Sequence, residues 1–151
     1  MMLFGQKGMR IALLLSVLMG LTGCDDATVG DAGSESIFDE RGQWTFINYW
    51  AEWCAPCIKE IPELNALHAR EGYRVLGINF DGETGDKLAA QEQKLGVSFP
   101  TVSEDPTARF SVQTPSVLPT TLVVSPNGAL VDVLVGPQTQ ESLLAVAGGT
   151  D

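Results

Sequence analysis

Two cysteines separated by two residues are the side chains in this sequence best suited to chemistry: Cys54 and Cys57 in the stretch 53–57, WCAPC. The stretch follows an apolar run typical of a buried strand and opens a run with helical spacing, which puts both sulfurs on the first helical turn, close enough to bridge. At the helix start Cys54 would face unpaired backbone N–H groups and the positive end of the helix dipole, which favour thiolate over thiol. The pattern predicts that Cys54 attacks a disulfide and that Cys57, one turn on and more buried, resolves the mixed disulfide.

A zinc site and a structural disulfide are the alternatives for this cysteine pair. Zinc needs four ligands in a structural site, and the chain adds only His68, eleven residues after Cys57, and a third cysteine, Cys24. A structural disulfide closing so small a loop would constrain the unfolded chain little. We therefore expect no metal and no cofactor beyond the disulfide itself. Pro56 suits an early helical position, where it forfeits no intrahelical hydrogen bond.

The segments that must position the pair alternate between strand and helix patterns. Strands are predicted at 44–50 and 73–80, and two more form a hairpin around Asn127-Gly128, because both residues tolerate positive φ. Helices are predicted at 55–70, 84–95 (closed by Gly96) and 139–147. The stretch 99–112 is predicted to form a short strand followed by a short helix that begins at Pro106. This order predicts an α/β fold, with helices packed on a mixed sheet.

Apolar residues recur regularly along the helix that carries the cysteines. Its apolar residues recur every three positions and are taken to form one buried face: Ile58, Ile61, Leu64 and Leu67. Pro62 falls inside the helix and is predicted to kink it.

The N-terminal segment ends at the odd cysteine, Cys24. Lys7 and Arg10 precede eleven residues, Ile11 to Leu21, in which only Ser16 is clearly polar. A spanning helix needs about twenty apolar residues, so the run is typical of a signal peptide. An unpaired cysteine in an exported protein still requires an explanation.

The sequence Leu21-Thr22-Gly23-Cys24 resembles the lipobox of bacterial lipoproteins. The resemblance implies cleavage after residue 23, acylation of Cys24 and anchoring in a lipid bilayer. A flexible acidic linker, residues 24–36, would then join the anchor to one domain, residues 37–151. Asp25 is similar to the signal that retains lipoproteins in the inner membrane, so the expected location is the periplasmic face of that membrane. A plain secreted protein with a stray thiol is the alternative.

Composition limits the partners. The chain has 9 basic and 19 acidic residues, a net charge of −10, and losing Lys7 and Arg10 with the leader would make it −12. Such a charge argues against nucleic acid as a partner and against binding to anionic lipid through a cluster of basic residues. The anchor would therefore have to be the lipid.

Two stretches resemble a known family. INYWAEWCAPCIKEIP (47–62) resembles the active-site segment of thioredoxins and, more closely, of the TlpA/ResA-like thiol-disulfide oxidoreductases, and VLPTTLVVSPNGALV (117–131) resembles that family's second signature. The resemblance implies a thioredoxin-like fold with the family's insertion at about residues 81–112. It also implies that Pro119 follows a cis peptide bond and lies against the cysteines, and that the backbone of Leu118 binds a substrate strand. Trp53 and Ala55 would support the active site, together with Pro56.

The same resemblance singles out Glu60 and Asn48. Asn48 stands where thioredoxins carry a buried aspartate, and an amide cannot move a proton. Glu60 matches a glutamate near the disulfide of TlpA/ResA-like proteins and shares a helical face with Cys57. If partly buried, Glu60 would have a raised pKa and could exchange a proton with Cys57; the alternative is an ordinary solvated charge. Three further side chains are expected at the surface: Glu52, Glu63 and His68.

The favoured function is a reductase of disulfides in other exported proteins, with apocytochrome c among the candidate substrates. The Ala-Pro dipeptide lacks the histidine that stabilises the thiolate of strong oxidants such as DsbA, so the pair is expected to be reducing. A membrane thiol donor similar to DsbD or CcdA would supply electrons. An oxidase or isomerase remains an alternative, as does a copper(I)-binding module. The latter lacks a soft third ligand, because the four methionines all fall in the leader: Met1, Met2, Met9 and Met19.

Overall fold

The computed structural model describes Phe38 and residues 42–148. The expected leader (1–23), the acylated Cys24 and the linker (24–36) lie outside the described residues, so those expectations stay predictions. Among the described residues, no helix is long and apolar enough to cross a membrane.

A five-stranded mixed sheet organises the described part of the chain, with the first strand at its centre. Strand β1 (Trp44–Trp50) pairs in parallel with β2 (Tyr73–Asn79) and antiparallel with β4 (Thr120–Val124). β3 (Thr101–Val102) extends the sheet beyond β2, and β5 (Leu130–Val135) forms the other edge beside β4, giving the order β3-β2-β1-β4-β5. The mixed sheet with its flanking helices confirms the predicted α/β architecture, and it is a thioredoxin-like fold, as the family resemblance implies.

Within residues 42–148, four helices connect or flank the strands: α1 (Ala55–His68), α2 (Gly85–Leu95), α3 (Thr107–Phe110) and α4 (Gln140–Gly148). Each predicted element is present, and the predicted ends of the helices and strands differ from the observed ones by at most two residues. α1 ends at His68 instead of residue 70, and β2 ends at Asn79 instead of residue 80. Such differences are ordinary at frayed ends. Gly96 closes α2 in the left-handed conformation, with φ of 70°, as expected of a C-cap glycine.

Alternation along β1 builds a core on each face of the sheet. Phe46 points to the face on which α1 and α4 pack, where it meets Leu64 and Leu143. Its neighbour Ile47 points to the opposite face and packs among residues that include Phe38. The central strand is therefore apolar on both faces, which explains its unbroken aromatic and β-branched run.

The prediction for the buried face of α1 is confirmed for Ile61, Leu64 and Leu67, and it is wrong for Ile58. The inward residues are Cys57, Glu60, Ile61, Leu64 and Leu67, whereas Ile58 is 37% exposed. At about 100° per residue, nine residues turn the helix to the opposite side, so Ile58 and Leu67 cannot share a face. The observed spacing instead places Glu60 on the same buried stripe as Cys57. Pro62 lies inside the helix, and a kink there stays a prediction.

The β4–β5 hairpin turns differently from the expectation. Of Asn127 and Gly128, only Gly128 has positive φ, at 85°. Its amide donates to the carbonyl of Ser125 across a four-residue turn in which Pro126 is the second residue. Asn127 contributes its side chain instead, with Oδ1 accepting from the amide of Ala129 at 3.1 Å. The turn therefore follows the longer hairpin type, in which a turn precedes a single left-handed glycine.

Gly77 on β2 is required by close packing. A Cβ at this position would lie 2.8 Å from Nε1 of the buried Trp50 and 2.8 Å from Oγ1 of Thr101. We expect Gly77→Ala to lower the free energy of unfolding by about 1–3 kcal/mol through overpacking, measured by denaturant unfolding. Gly148→Ala is the control, because nothing lies within 4 Å of a Cβ there. Equal stability of the two variants would contradict the prediction.

Candidate active site

The cysteine pair lies where β1 ends and α1 begins, and its two sulfurs are joined in a disulfide. The Cα atoms of Cys54 and Cys57 are 5.3 Å apart, within the range that a disulfide requires. Cys54 is the N-cap residue of α1, in extended conformation, and its amide donates to the carbonyl of Ala51 at 3.1 Å. Pro56 occupies the first turn, as predicted. The strand-to-helix junction therefore sets the spacing of the pair.

Cys54 Sγ receives a backbone hydrogen bond. The amide of Cys57 donates to Cys54 Sγ at 3.3 Å, which is the contact expected of an N-cap side chain. On reduction, this N–H group and the helix dipole would stabilise a thiolate at Cys54. The geometry thus distinguishes the two sulfurs and gives Cys54 the environment of a nucleophile.

The disulfide is shielded on its inner side and bordered by exposed residues on its outer side. Cys54 and Cys57 are 4% and 1% exposed and pack with Trp50, while α2 contributes Leu88 to the same cluster. Trp53 is 64% exposed, and Ala55 and Pro56 are exposed as well. A substrate therefore has to approach over this outer border.

Glu60 is buried on the same stripe of α1 as Cys57 and accepts hydrogen bonds from two donors. Its Oε1 accepts from Nδ2 of Asn48 at 2.7 Å, and its Oε2 accepts from the amide of Gln138 at 2.8 Å. Burial raises the pKa of the Glu60 carboxyl, and the hydrogen bonds from Gln138 and Asn48 offset that rise only in part. The alternative of a solvated charge was wrong: the side chain is only 2% exposed.

The segment before β4 lies against the disulfide cluster. The Leu118–Pro119 peptide bond is cis, as the resemblance implies, and Leu118 packs on the cluster that holds the cysteines. Pro119 is buried, and its carbonyl accepts from the amide of Gly136 at 2.9 Å. The backbone of Leu118 makes no hydrogen bond to any described residue. Its N–H and C=O groups are therefore available to a ligand.

Trp53 has two partners that the sequence did not suggest. The indole Nε1 donates to both carboxylate oxygens of Asp81, at 2.9 and 3.2 Å, and the ring meets Phe80 edge-on at 6.3 Å. Phe80 and Asp81 directly follow β2, whose carboxyl end lies beside that of β1. That adjacency of parallel strands is the signal that could have identified them.

The three residues expected at the surface, Glu52, Glu63 and His68, each contact a partner in another part of the fold. Glu52 forms an ion pair with Lys94, and Oε2 of Glu63 accepts from the amide of Gln140 at 2.9 Å. His68 is half-buried, and its Nδ1 accepts from the amide of Val75 at 3.1 Å. Burial lowers the pKa of His68, which keeps the ring neutral and able to accept.

Metal ligation has no support in the described part of the chain, where no three histidine, cysteine, aspartate or glutamate side chains are placed to hold an ion together. The arrangement instead provides a nucleophilic sulfur, a resolving sulfur, a buried carboxyl and a free backbone segment. Together these can carry out thiol-disulfide exchange.

The AhpC/TSA family matches residues 25–133. The thiol-disulfide oxidoreductase ResA of Geobacillus kaustophilus is 29% identical over 132 residues, covering 85% of this chain and 75% of the relative. A secreted thiol-disulfide isomerase from Corynebacterium glutamicum superposes with a TM-score of 0.61 at 29% identity, over 72% of this chain and 71% of that one. A DsbF homologue from Corynebacterium diphtheriae gives 0.62 at 25% identity, over 72% of each chain. The chain belongs to the AhpC/TSA family and is a ResA-like thiol-disulfide oxidoreductase.

Proposed function

We propose that this protein reduces disulfide bonds in other exported proteins while tethered to the periplasmic face of the inner membrane through an acylated Cys24. The observation that carries the proposal is the Cys54–Cys57 disulfide at the start of α1, with a backbone N–H group donating to Cys54 Sγ. Apocytochrome c is a candidate substrate, because haem attachment requires its cysteines as thiols.

The reaction starts from the dithiol form and proceeds in two exchanges. The Cys54 thiolate attacks one sulfur of the substrate disulfide, that bond breaks, and the second substrate sulfur leaves with the electron pair. Cys57 then gives up its proton, and its thiolate attacks Cys54 Sγ and releases the first substrate sulfur. The substrate gains two electrons and two protons, and the pair ends in the disulfide form of this structure.

Glu60 is suited to take the proton that Cys57 loses. It lies three residues after Cys57 on the same buried stripe of α1, and burial raises the pKa of its carboxyl. A base of raised pKa is a better proton acceptor near neutral pH than an exposed carboxylate. In the reverse direction the protonated carboxyl returns the proton.

The substrate would bind along the free backbone of Leu118. An extended segment beside a substrate cysteine can hydrogen-bond to the N–H and C=O groups there, and the exposed ring of Trp53, next to Cys54 in the chain, offers apolar contact. A membrane dithiol protein of DsbD or CcdA type would restore the dithiol form by the same exchange in reverse, giving up two electrons and two protons.

The reduction potential tests the direction of exchange. Equilibration with thiol buffers is expected to give a value near the −270 mV of thioredoxin, about 150 mV below DsbA at about −120 mV. Pro56→His is the matched control, because a histidine in the dipeptide should stabilise the thiolate and raise the potential. A DsbA-like potential in the unmodified protein would reject the reductase.

An isomerase is the second candidate, favoured by the solved isomerase that superposes at 29% identity. A potential close to the roughly −180 mV of protein disulfide isomerase, with rescue of scrambled substrates, would favour this alternative.

The tether has its own test. Growth with a labelled fatty acid should label the unmodified chain and leave Cys24→Ser unlabelled and released from the membrane fraction. Equal labelling of both would reject acylation at Cys24.

A further inference from the structure

Asn48 lies at the centre of the sheet, in direct contact with Glu60. Its Nδ2 donates to Oε1 of Glu60 at 2.7 Å and to Oγ1 of Thr121 on β4 at 3.0 Å, so both amide hydrogens are used. Its backbone is fixed between two strands, paired with Gly77 and Thr121. Rotation of the amide group is therefore the main freedom left to this side chain.

The other half of the amide has no partner. Oδ1 of Asn48 is buried and accepts no hydrogen bond in the described structure. An unsatisfied buried acceptor carries a desolvation cost and calls for a physical reason. The amide nitrogen and oxygen have nearly the same shape, so a half-turn of the group exchanges them without changing the packing.

Protonation of Glu60 would favour the other orientation of this amide. The amide of Gln138 can only donate, so Oε2 must remain an acceptor and the acid proton belongs on Oε1, facing Asn48. In the observed orientation that proton would meet an NH₂ group, another donor. After a half-turn it would meet Oδ1, and the Thr121 hydroxyl, which can donate as well as accept, would donate to the same oxygen.

We propose that Asn48 is a positioning residue with two amide orientations, one donating to the Glu60 carboxylate and one accepting from the Glu60 carboxylic acid. The unsatisfied group is Oδ1 in the first orientation and Nδ2 in the second, so the number of unsatisfied groups stays the same. In disulfide exchange, a role that rests on the proposed function, Glu60 could then gain and lose a proton without moving its backbone.

Among the groups around Glu60, Asn48 is the one that can adjust its hydrogen bonding when Glu60 gains or loses a proton. β1 contributes the neutral Asn48, and the segment before α4 contributes the backbone of Gln138. On α1 the nearby titratable groups are Cys57, held in the disulfide, and Glu63, whose Oε2 is occupied by the amide of Gln140. Glu60 has no cationic partner in the described part of the chain.

Nuclear magnetic resonance on the full chain in its disulfide form tests the two orientations without any substitution. Glu60 is titrated through its carboxyl carbon while contacts between the Asn48 amide hydrogens and Thr121 are followed. We expect those contacts to be present above the pKa of Glu60 and lost below it. Contacts that persist throughout the titration would overturn the proposal.

Two variants test the donating orientation of Asn48 through the pKa of Glu60. Asn48→Leu removes the donor to the carboxylate, and a hydrogen bond to a charged group is stronger than one to a neutral acid, so the pKa of Glu60 should rise. Asn48→Asp places a second carboxyl beside Glu60, so the two carboxyls should titrate in two coupled steps instead of the single step of Glu60. Asn79→Leu is the control, since Asn79 is a buried amide on β2 that donates to Gln91. An unchanged pKa in Asn48→Leu, or an equal rise in Asn79→Leu, would overturn the proposal.

These measurements use the oxidised protein alone. A chain that shows the amide rotation yet fails to reduce protein disulfides would reject the proposed function and leave the role of Asn48 standing. Exchange activity with no rotation would do the reverse.

Discussion

Replacing Cys54 by serine is expected to reduce disulfide exchange to the uncatalysed level, whereas Cys57→Ala should stop the reaction halfway with substrate attached. Cys54 is the N-cap residue whose sulfur accepts the backbone hydrogen bond of α1, and a serine hydroxyl there cannot form a mixed disulfide. Cys57→Ala keeps the nucleophile and removes the group that resolves the intermediate. Reduction of a model protein disulfide, such as that of insulin, measures the first effect.

Capture in the native host measures the second effect. Cys57→Ala should accumulate mixed disulfides that disappear on reduction, and mass spectrometry should identify the attached exported proteins. Cys54→Ser is the matched control, because it keeps the apolar cluster around Cys57 but offers only the sulfur of Cys57, a residue that is 1% exposed. Equal capture by the two variants would show that the sulfurs are not distinguished as proposed, and an empty trap with an accessible Cys54 would reject the exchange mechanism.

Local patterns were enough to predict the elements but not all of their faces. The unbroken apolar run of β1 indicates a central strand, and the structure places it between β2 and β4. The spacing of apolar residues in α1 identified most of the buried face, but it wrongly included Ile58 and omitted Glu60. A carboxylate is not expected inside a core unless something satisfies it. Its partners, Asn48 and the amide of Gln138, are distant in the sequence.

In the candidate active site as well, local features could be predicted from the sequence and long-range contacts could not. The position of the cysteines on the first helical turn follows from their spacing, and the cis bond before Pro119 followed from the family resemblance. The contact of Trp53 with Asp81 requires the register of β1 against β2, which no local pattern supplies. The two orientations proposed for Asn48 depend on an unpaired atom, which only a three-dimensional structure reveals.

Glu60→Gln is expected to slow the release of substrate from the mixed disulfide by about 10²- to 10⁴-fold near neutral pH, the usual contribution of a general acid or base. Glutamine can imitate the protonated carboxyl, with its oxygen accepting from the amide of Gln138 and its NH₂ group donating to a rotated Asn48. It cannot take a proton from Cys57. The first exchange, at Cys54, should keep its rate, so rapid-mixing measurements should show the intermediate accumulating.

Glu63→Gln is the matched control for that experiment. Glu63 lies nearly one turn further along α1, and its Oε2 accepts a hydrogen bond from the amide of Gln140. The side-chain carbonyl of a glutamine could still accept that hydrogen bond. We expect this variant to resolve the intermediate at the normal rate. If both variants were slow, the loss would reflect disturbance of the contact between α1 and the segment leading into α4, and not proton transfer by Glu60.

The stability of the oxidised protein should also depend on pH through Glu60, in a direction fixed by its raised pKa. Below the pKa of an unfolded glutamate, about 4.3, folded and unfolded chains both hold the proton. As the pH rises, the unfolded chain releases the proton first, so this group's contribution to stability declines until the pH passes the folded pKa. The unmodified protein should therefore lose stability relative to Glu60→Gln from about pH 4 upward and then level off, measured by urea unfolding at a series of pH values. A difference that moved the other way would mean that the folded pKa is lowered, and a carboxylate of lowered pKa could not serve Cys57 as a base near neutral pH.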